Sequence, residues 1–369
     1  MKKGRSVKAA VCYEYGKPLV MEEVVLEPPG KGEVTIRCAA TSICHSDIHM
    51  IKGEHGPCQL PAVAGHETAG YVEEVGEGVT YVKPGDPVIY TLIPAACGHC
   101  YYCNIGEHDQ CANHQIATRS PSKLLTKDGQ RIYQWYGTMA TFAEYATGLE
   151  INLVKIPEDM PMDRAALISC GVIAGYGAVV NRAKVKPNHS VVVYGTGGVG
   201  LNAIQGAVFV GAYPIIAIDT NDEKLKMARH FGATFTINRN NVDDITKSVM
   251  ELNYGRAVDY AIVGVAGIEV LREAFLLTAR QGTTVVVGHG FGEEMSAWMP
   301  VEFCKGKIIT GSAMGAIRSR IEIPRIIELY RDGRFKLDEL VSAHYSFDQL
   351  SEAIANMEEG NAIRNVIMF

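Results

Sequence analysis

The sequence lacks several features that mark specialised classes of protein. Its 369 residues have a net charge of −6 and no basic excess of the kind that nucleic-acid binding requires. No apolar run reaches the roughly 18 residues of a membrane span. The basic start is not followed by the apolar segment of a secretory signal, so we expect a cytoplasmic protein. Repeats and low-complexity tracts are absent, and the composition is that of a globular chain.

Cysteine is too sparse for a small disulfide scaffold, but the ten cysteines are unevenly distributed. Four have the spacing C-x2-C-x2-C-x7-C, namely Cys97, Cys100, Cys103 and Cys111. Four thiolates from one loop can close a tetrahedron around zinc and leave no position for substrate, as in structural sites. Unliganded thiols and an iron–sulfur cluster are the alternatives. The last spacing, with no proline after Cys111, disfavours the cluster.

Two patterns of secondary structure divide the chain, and the length also favours two domains. The first 150 residues contain short β-like runs between Gly- and Pro-rich turns, which predict a small barrel or sandwich. From about residue 172, apolar strands alternate with helices, which predicts a doubly wound parallel sheet of the α/β class. Two helices, at Ile323–Tyr330 and Phe347–Glu358, and a terminal strand at Val366–Phe369 are predicted in the last 55 residues.

A glycine-rich segment near the start of the second pattern has the spacing G-x-G-x-x-G, from Gly195 to Gly200. It lies between a predicted strand and a predicted helix, which is the context that a dinucleotide site requires. The glycines would let a pyrophosphate approach the helix N-terminus. Asp219 ends the next predicted strand, 19 residues after Gly200. Its carboxylate would accept ribose hydroxyls and repel a 2′-phosphate, which favours NAD over NADP; an acidic helix cap is the alternative.

Three separate segments predict a second, open metal site. They contain Cys44, His66 and Cys170, and three protein ligands would leave one zinc position for water or an alcohol. A single buried cysteine or histidine is more often a packed core residue. Here, however, the pattern G-H-E-x-x-G-x5-G-x2-V is matched at every fixed position from Gly65 to Val79.

On these motifs the sequence resembles, over nearly its whole length, the zinc-dependent alcohol dehydrogenases of the medium-chain dehydrogenase/reductase superfamily. The resemblance implies a GroES-like β-barrel catalytic domain over residues 1–171 and 315–369, with a structural zinc lobe at about 95–113. It implies a Rossmann NAD-binding domain over residues 172–314. Two zinc ions per chain, one catalytic and one structural, would serve hydride transfer between a small alcohol and NAD. Such enzymes are usually homodimers or homotetramers.

The resemblance also implies roles for individual residues. Cys44, His66 and Cys170 would bind the catalytic zinc, and Glu67 would approach it during ligand exchange. Asp47 would fix the His66 ring, while Ser46 and His49 would pass the alcohol proton to solvent. The residues implied for the cofactor are His45, Gly195, Gly197, Gly198, Val199, Gly200, Asp219, Lys224, Val287, His289 and Arg364.

Residues 113–137 depart from the family pattern. This segment carries Arg119, Lys123, Lys127 and Arg131, with Asp128 as the opposing charge. We hypothesise that it covers the substrate entrance and favours anionic alcohols or aldehydes; a solvated surface loop is the alternative.

The sequence leaves more than one function open. The segment around Cys170 and the glycine-rich helix are similar to the class III-like and nicotinoprotein branch. There, NAD(H) can stay bound through turnover, or the substrate can be a thiol adduct of formaldehyde. Two further possibilities are an inactive zinc- and nucleotide-binding protein and a zinc-free reductase on the same fold. The complete ligand set argues against both of them.

Overall fold

The computed structural model describes residues 4–54, 59–92, 97, 99–113, 122–134, 139–288, 300–360 and 362–369. The chain divides into two compact units. One unit comprises Met1–Cys170 and Arg318–Phe369, and the other comprises Gly171–Ile317.

The secondary-structure elements are numbered in chain order. The strands are β1 (Arg5–Cys12), β2 (Val20–Leu26), β3 (Glu33–Ser42), β4 (Ala62–Val63), β5 (Glu67–Val75), β6 (Pro87–Tyr90), β7 (Leu124–Leu125), β8 (Tyr133–Gln134), β9 (Tyr145–Leu149), β10 (Leu153–Lys155), β11 (Val191–Tyr194), β12 (Ile215–Asp219), β13 (Phe235–Asn238), β14 (Val258–Val263), β15 (Thr278–Val286), β16 (Ile308–Gly311), β17 (Val341–Ser346) and β18 (Arg364–Met368). The α-helices are α1 (His45–Ile51), α2 (Tyr101–Asn104), α3 (Met162–Leu167), α4 (Ile173–Gly177), α5 (Gly198–Phe209), α6 (Asp222–His230), α7 (Ile245–Leu252), α8 (Ile268–Leu277), α9 (Pro300–Phe303), α10 (Ser319–Arg331) and α11 (Leu350–Glu358).

The first unit is built on two β-sheets. One has the strand order β7-β2-β1-β4-β8, and the other has the order β10-β6-β5-β3-β18-β17, with β9 also paired to β3. In β3, the side chains of Val34, Ile36 and Cys38 recur at every second residue and are buried together in one core cluster. This is the period that a strand with one core-facing side produces. The strands predicted for the first 150 residues therefore form the expected β-rich unit.

A continuous helical run joins the end of the first unit to the start of the second. Helix α3 leads into a π-helical turn at Ile168–Val172, which is followed by α4 and a second π-helical stretch at Ala178–Ala183. The run Met162–Ala183 is apolar and long enough to cross a membrane by length and composition. However, 89% of its most apolar window is buried inside the protein, which is typical of a core helix.

The second unit contains one parallel sheet with the order β13-β12-β11-β14-β15-β16. Its central strands are continuous apolar runs because both faces are covered, and Val192, Ile216 and Ala261 are fully buried. The strand order changes direction beside β11, since β12 lies on one side of it and β14 on the other. Doubly wound sheets bind ligands at the carboxyl ends of the strands at such a point. The predicted doubly wound parallel sheet is confirmed.

The C-terminal helix α10 begins four residues before the predicted start at Ile323. The reason is a local contact that a periodicity argument does not include. The Glu322 carboxylate accepts a hydrogen bond of 2.7 Å from the Arg318 backbone amide, which satisfies a polar group at the helix start.

Candidate active site

Strand register brings the first two predicted metal ligands together. Strands β3 and β5 pair antiparallel, with Ser42 opposite Glu67. Cys44 follows the end of β3 by two residues, and His66 immediately precedes β5, so both stand at the same end of the hairpin. The turn before His66 requires glycine, because Gly65 has φ +94° and a Cβ there would lie 2.6 Å from the backbone nitrogen of Phe142.

Cys170 lies close to Cys44 and His66, although it follows them by more than 100 residues in the sequence. Helix α3 packs against β3 and β5, and Cys170 lies in the π-helical turn that follows it. Single π-helical turns often occur at functional sites, because the extra residue re-aims the side chains of one turn.

Cys44, His66, Glu67 and Cys170 form a buried cluster of potential metal ligands. One ligand atom from each residue can be chosen so that all four atoms lie within 4.8 Å of one another. Neither carboxylate oxygen of Glu67 has a hydrogen-bond partner among the described residues, although the side chain is fully buried. Two thiols, an imidazole and a buried carboxylate that accepts no hydrogen bond among the described residues fit zinc, which binds sulfur and nitrogen ligands in a compact tetrahedron.

The carboxylate of Asp47 contacts the ring of His66 and the backbone beside two residues of this cluster. Its Oδ1 atom lies 2.7 Å from Nδ1 of His66 and accepts a backbone hydrogen bond from Gly65. Its Oδ2 atom accepts a hydrogen bond of 3.1 Å from the backbone amide of Cys44. With Nδ1 directed at the carboxylate, Nε2 of His66 is the nitrogen available to a metal. One buried carboxylate thus joins the segment after β3 to the segment before β5 and orients the His66 ring.

The electrostatics of the cluster favour a thiolate at Cys44. A hydrogen bond from the Cys170 thiol lowers the pKa of Cys44, against the effect of burial, and the His66 ring lowers it further. The same contact raises the pKa of Cys170. Burial lowers the pKa of His66, but the Asp47 carboxylate outweighs it and raises the pKa above its ordinary value. A site that already stabilises one thiolate is prepared for a cation.

Glu67 has a charged neighbour that its position in the sequence does not reveal. Nε of Arg364, the first residue of β18, lies 3.4 Å from Oε2 of Glu67, and both side chains are buried. Burial raises the pKa of Glu67, while Arg364 opposes the rise. Arg364, which the resemblance implies for the cofactor, therefore also contacts the cluster of potential metal ligands.

The predicted proton relay lies on α1. Ser46 is half-buried and His49 follows it by three residues, a spacing that puts two side chains on one face of a helix. Nδ1 of His49 lies 2.5 Å from Oε2 of Glu54. Sequence reasoning missed Glu54, for which the only signal was an acidic residue just beyond the end of α1. His45 is exposed at the start of the same helix.

The four-cysteine lobe has the sulfur spacing of a single-metal site. The Sγ atoms of Cys100 and Cys103 are 3.5 Å apart, those of Cys97 and Cys103 are 3.9 Å apart, and those of Cys100 and Cys111 are 3.9 Å apart. Zinc–sulfur bonds of about 2.3 Å place tetrahedral sulfur atoms about 3.8 Å apart. A disulfide requires about 2.05 Å, and an iron–sulfur cluster spreads its thiolates over several irons. The geometry fits the predicted structural zinc.

Hydrogen bonds to sulfur prepare the lobe for that metal. Cys97 Sγ accepts hydrogen bonds from the backbone of Cys100, at 3.3 Å, and from the side-chain amide of Asn113, at 3.2 Å. A backbone hydrogen bond from His99, followed by those from Asn113 and Cys100, lowers the pKa of Cys97 to about 6. The thiolate that zinc requires is thus stabilised near neutral pH.

The glycine-rich loop of the second unit forms a cradle at a helix N-terminus. Gly197 caps α5, and a Cβ added to it would meet nothing within 4 Å, which leaves open space beside the first turn. Gly200 cannot be replaced in the same way, because its Cβ would lie 1.8 Å from the carbonyl oxygen of Gly195. Gly198 and Val199 complete the first turn. Space in front of free helix amides fits the pyrophosphate of a dinucleotide.

Two other residues predicted for the cofactor, Asp219 and Val287, lie at the carboxyl ends of strands of the parallel sheet. Asp219 ends β12, Lys224 lies in the first turn of α6, and Val287 follows β15 and is buried. The Val287 amide donates a hydrogen bond to the carbonyl oxygen of Val263 at the end of β14. His289 lies outside the described residues.

In the described part of the basic segment, each positively charged side chain has a glutamate partner. Lys123 pairs with Glu33 at 3.1 Å, Lys127 with Glu23 at 3.9 Å, and Arg131 with Glu27 at 2.5 Å. These pairs correct the expectation from charge counting, because the neutralising glutamates come from distant parts of the chain. Arg119 lies outside the described residues.

Comparisons with known proteins agree with this geometry. Residues 30–158 match the family described as alcohol dehydrogenase GroES-like domain, and residues 198–331 match the family described as zinc-binding dehydrogenase. The S-(hydroxymethyl)glutathione dehydrogenase of Escherichia coli O1:K1 is 39% identical over 98% of this chain and 99% of its own length.

Solved structures give the same result. An alcohol dehydrogenase zinc-binding domain protein from Burkholderia ambifaria is 31% identical with a TM-score of 0.92, over 99% of both chains. The benzyl alcohol dehydrogenase from Acinetobacter calcoaceticus is 30% identical with a TM-score of 0.90, again over 99% of both chains.

Fold, cofactors and reaction class follow together from these findings. The architecture is a GroES-like domain with a Rossmann domain, the cofactors are zinc and NAD, and the reaction is hydride transfer between an alcohol and NAD. The chain belongs to the zinc-dependent alcohol dehydrogenases of the medium-chain dehydrogenase/reductase superfamily.

Proposed function

We propose that Cys44, His66 and Cys170 hold the catalytic zinc and that Cys97, Cys100, Cys103 and Cys111 hold the structural zinc. The observation that carries the proposal is the buried cluster in which all ligand atoms lie within 4.8 Å while Glu67 lacks a hydrogen-bond partner among the described residues. The first cluster has three sulfur and nitrogen ligands and one carboxylate, so it can leave a position for substrate. The second has four cysteines and is closed.

Cys44, His66 and Cys170 would hold a zinc ion that supplies Lewis-acid chemistry and lowers the pKa of the alcohol. Asp47 keeps Nδ1 of His66 occupied, so that the ring stays in the metal-binding orientation. The Ser46 hydroxyl takes the alcohol proton and passes its own proton to His49. Glu54 holds Nδ1 of His49, which leaves Nε2 as the proton acceptor. The proton then leaves to solvent, because the His49 side chain is 46% exposed.

The first unit supplies this chemistry and the second binds NAD, with their boundaries near residues 171 and 317. In the second unit, the α5 N-terminus and its glycines face the pyrophosphate, and Asp219 with Lys224 faces the adenosine ribose. His45 and Arg364 are also proposed as cofactor-binding residues, because the family resemblance implies this role for them. Val287 and His289 are proposed for the nicotinamide end.

The substrate class that fits best is a neutral primary alcohol and its aldehyde. The benzyl alcohol dehydrogenase similarity supports it, as do the carboxylate partners of Lys123, Lys127 and Arg131. A second candidate is the thiol adduct of formaldehyde, which the 39% identity to S-(hydroxymethyl)glutathione dehydrogenase favours. Arg119 lies outside the described residues, so its contribution to an anionic substrate is tested directly below.

We also propose a cytoplasmic homo-oligomer. None of the nine described cysteines forms a disulfide, which fits a reducing compartment. Strand β16 ends the parallel sheet, and Ile308 on this strand is 52% exposed. Pairing of this edge with a second copy would satisfy its backbone groups. Light scattering of the purified protein and of an Ile308→Pro variant tests the assembly; equal masses would contradict edge pairing.

An NAD-reduction assay tests the substrate class. Benzyl alcohol, an acidic alcohol and formaldehyde with and without glutathione are compared by kcat/KM, with an artificial electron acceptor to detect permanently bound NAD. We expect benzyl alcohol to exceed the acidic alcohol, and Arg119→Ala to leave this ratio unchanged. Activity that strictly requires glutathione would establish the second candidate instead. Preference for the acidic alcohol, lost in Arg119→Ala, would restore the anionic hypothesis.

A further inference from the structure

The carboxylate of Asp219 accepts four hydrogen bonds in the second unit. Its Oδ1 atom accepts from the backbone amides of Thr220, at 2.8 Å, and Asn221, at 3.1 Å. Its Oδ2 atom accepts from the backbone amide of Thr196, at 2.6 Å, and from the Thr196 hydroxyl, at 2.8 Å. These donors, two on each carboxylate oxygen atom, hold the side chain in one orientation.

Three of the four donors are held by the backbone and do not depend on side-chain identity. The loop runs beside the end of β12, because Tyr194 pairs with Ile218 and the Gly195 amide donates to the Ile218 carbonyl oxygen at 2.8 Å. This pairing delivers the Thr196 amide to Asp219 whatever side chain stands at residue 196. The Thr196 hydroxyl is therefore the contact that a substitution can remove alone.

The Thr196 hydroxyl is buried away from solvent. Thr196 is fully buried, while Asp219 is half-buried and faces solvent with its remaining surface. If the hydroxyl is replaced by a methyl group, Oδ2 loses a donor that solvent cannot replace from that side. The methyl group also needs more than the present 2.8 Å, so the carboxylate must turn.

We propose that Thr196 is a positioning residue for recognition of the dinucleotide. Its hydroxyl holds the Asp219 carboxylate in the orientation that meets the adenosine ribose hydroxyls of NAD and opposes a 2′-phosphate. Thr196 acts through Asp219 and touches no reacting atom. The inference rests on the proposed role of Asp219 and adds a residue within the glycine-rich loop that sets cofactor selectivity.

The test uses the zinc-loaded protein and its variants Thr196→Val, Thr196→Ser and Asp219→Ala. A double variant combines Thr196→Val with Asp219→Ala. NADH binding is measured by fluorescence titration, and KM and kcat are measured for NAD and NADP with one alcohol. Loss of one hydrogen bond to a charged group should weaken NADH binding about tenfold in Thr196→Val. The weakening should appear in KM for NAD rather than in kcat, and the preference for NAD over NADP should fall. Thr196→Ser retains the hydroxyl and should restore most of the binding.

The double variant separates positioning from a structural role. If Thr196 acts through Asp219, Thr196→Val causes no further loss of NADH affinity in a protein that already carries Asp219→Ala. Equal NADH binding by Thr196→Val and Thr196→Ser would overturn the inference, as would additive losses in the double variant. If Asp219→Ala itself leaves the NAD to NADP ratio unchanged, the proposed role of Asp219 fails, and the inference fails with it. Zinc content and thermal unfolding of each variant show whether it is folded.

Discussion

At the scale of single residues, the active site depends on carboxylates as much as on metal ligands. Asp47 joins His66, Gly65 and Cys44 in one buried set of hydrogen bonds. Glu67 faces Arg364, and Glu54 faces His49. Each carboxylate fixes the position or charge of a neighbour, so substitutions at Asp47 and Glu54 test the site without removing a potential metal ligand.

Asp47→Asn should weaken binding of the catalytic zinc. The amide keeps the shape of the side chain but gives His66 a weaker acceptor, and such partners typically contribute 10–100-fold to metal affinity or activity. Zinc content after dialysis against a chelator is the measurement, together with kcat. Asp348→Asn is the control, because that carboxylate is exposed and contacts Lys8 at the surface. Full zinc retention and full kcat in Asp47→Asn would contradict the role given to Asp47.

Glu54→Gln should lower kcat about tenfold. The loss is smaller than the roughly 10²–10⁴-fold that a positioned acid–base group contributes to a rate, because His49 itself remains. The amide cannot hold the ring of His49 as a carboxylate at 2.5 Å does. If Glu54 acts through His49, its substitution has no further effect when His49 is already asparagine. Steady-state kinetics of the two single variants and the double variant check this. Independent, multiplying losses would show that Glu54 has another function.

At the scale of elements, strand register and helix placement explain why distant residues meet. The β3–β5 register brings Cys44 to His66, and the π-helical turn after α3 adds Cys170. His66 was predictable from the dense motif between Gly65 and Val79, and Cys44 and Cys170 were predictable from the family resemblance. Glu54 and the Glu67–Arg364 pair were not, since a side-chain contact leaves no periodic signal. The glutamates opposite Lys123 and Arg131 were missed for the same reason: a charge count contains no partners.

A buried lysine connects three elements of the second unit. Nζ of Lys307 donates to the carbonyl oxygens of Phe275 and Leu276 at the end of α8, and it pairs with Glu302 of α9 at 2.8 Å. Lys307 itself immediately precedes β16 and is only 7% exposed. Hydrogen bonds from Lys305 and Lys307 lower the pKa of Glu302 to about 2.

Lys307→Met should therefore lower the free energy of unfolding by about 3 kcal/mol at pH 7, since it leaves a largely buried carboxylate with less compensation. Lys305→Met is the control, because Lys305 is more exposed and its loss should change stability by less than about 1 kcal/mol. The depressed pKa means that the stabilisation is complete above the ordinary glutamate value and is lost as pH falls toward 2. Urea denaturation at pH 7 and pH 3 should show the Lys307→Met difference shrinking at the lower pH. A constant difference would contradict the ion-pair explanation.

At the scale of the whole molecule, the chain combines two clusters of potential metal ligands in one unit and a glycine-rich loop proposed for the nucleotide in the other. The sequence alone identified both folds, because cysteine spacing and the strand–helix alternation are both long and regular patterns. It could not show whether each cluster closes around a metal, which depends on sulfur distances and on a buried carboxylate without a hydrogen-bond partner among the described residues.

Zinc analysis of the purified protein and of two single variants, combined with NAD reduction in the presence of an alcohol, tests the central claim most directly. We expect two zinc ions per chain in the unchanged protein. Cys44→Ser should retain one zinc and lose activity, while its thermal stability changes little. Cys103→Ser should lose the other zinc and unfold at a lower temperature. A protein that holds a single zinc, lost in Cys103→Ser but not in Cys44→Ser, would contradict the catalytic metal site and the mechanism built on it.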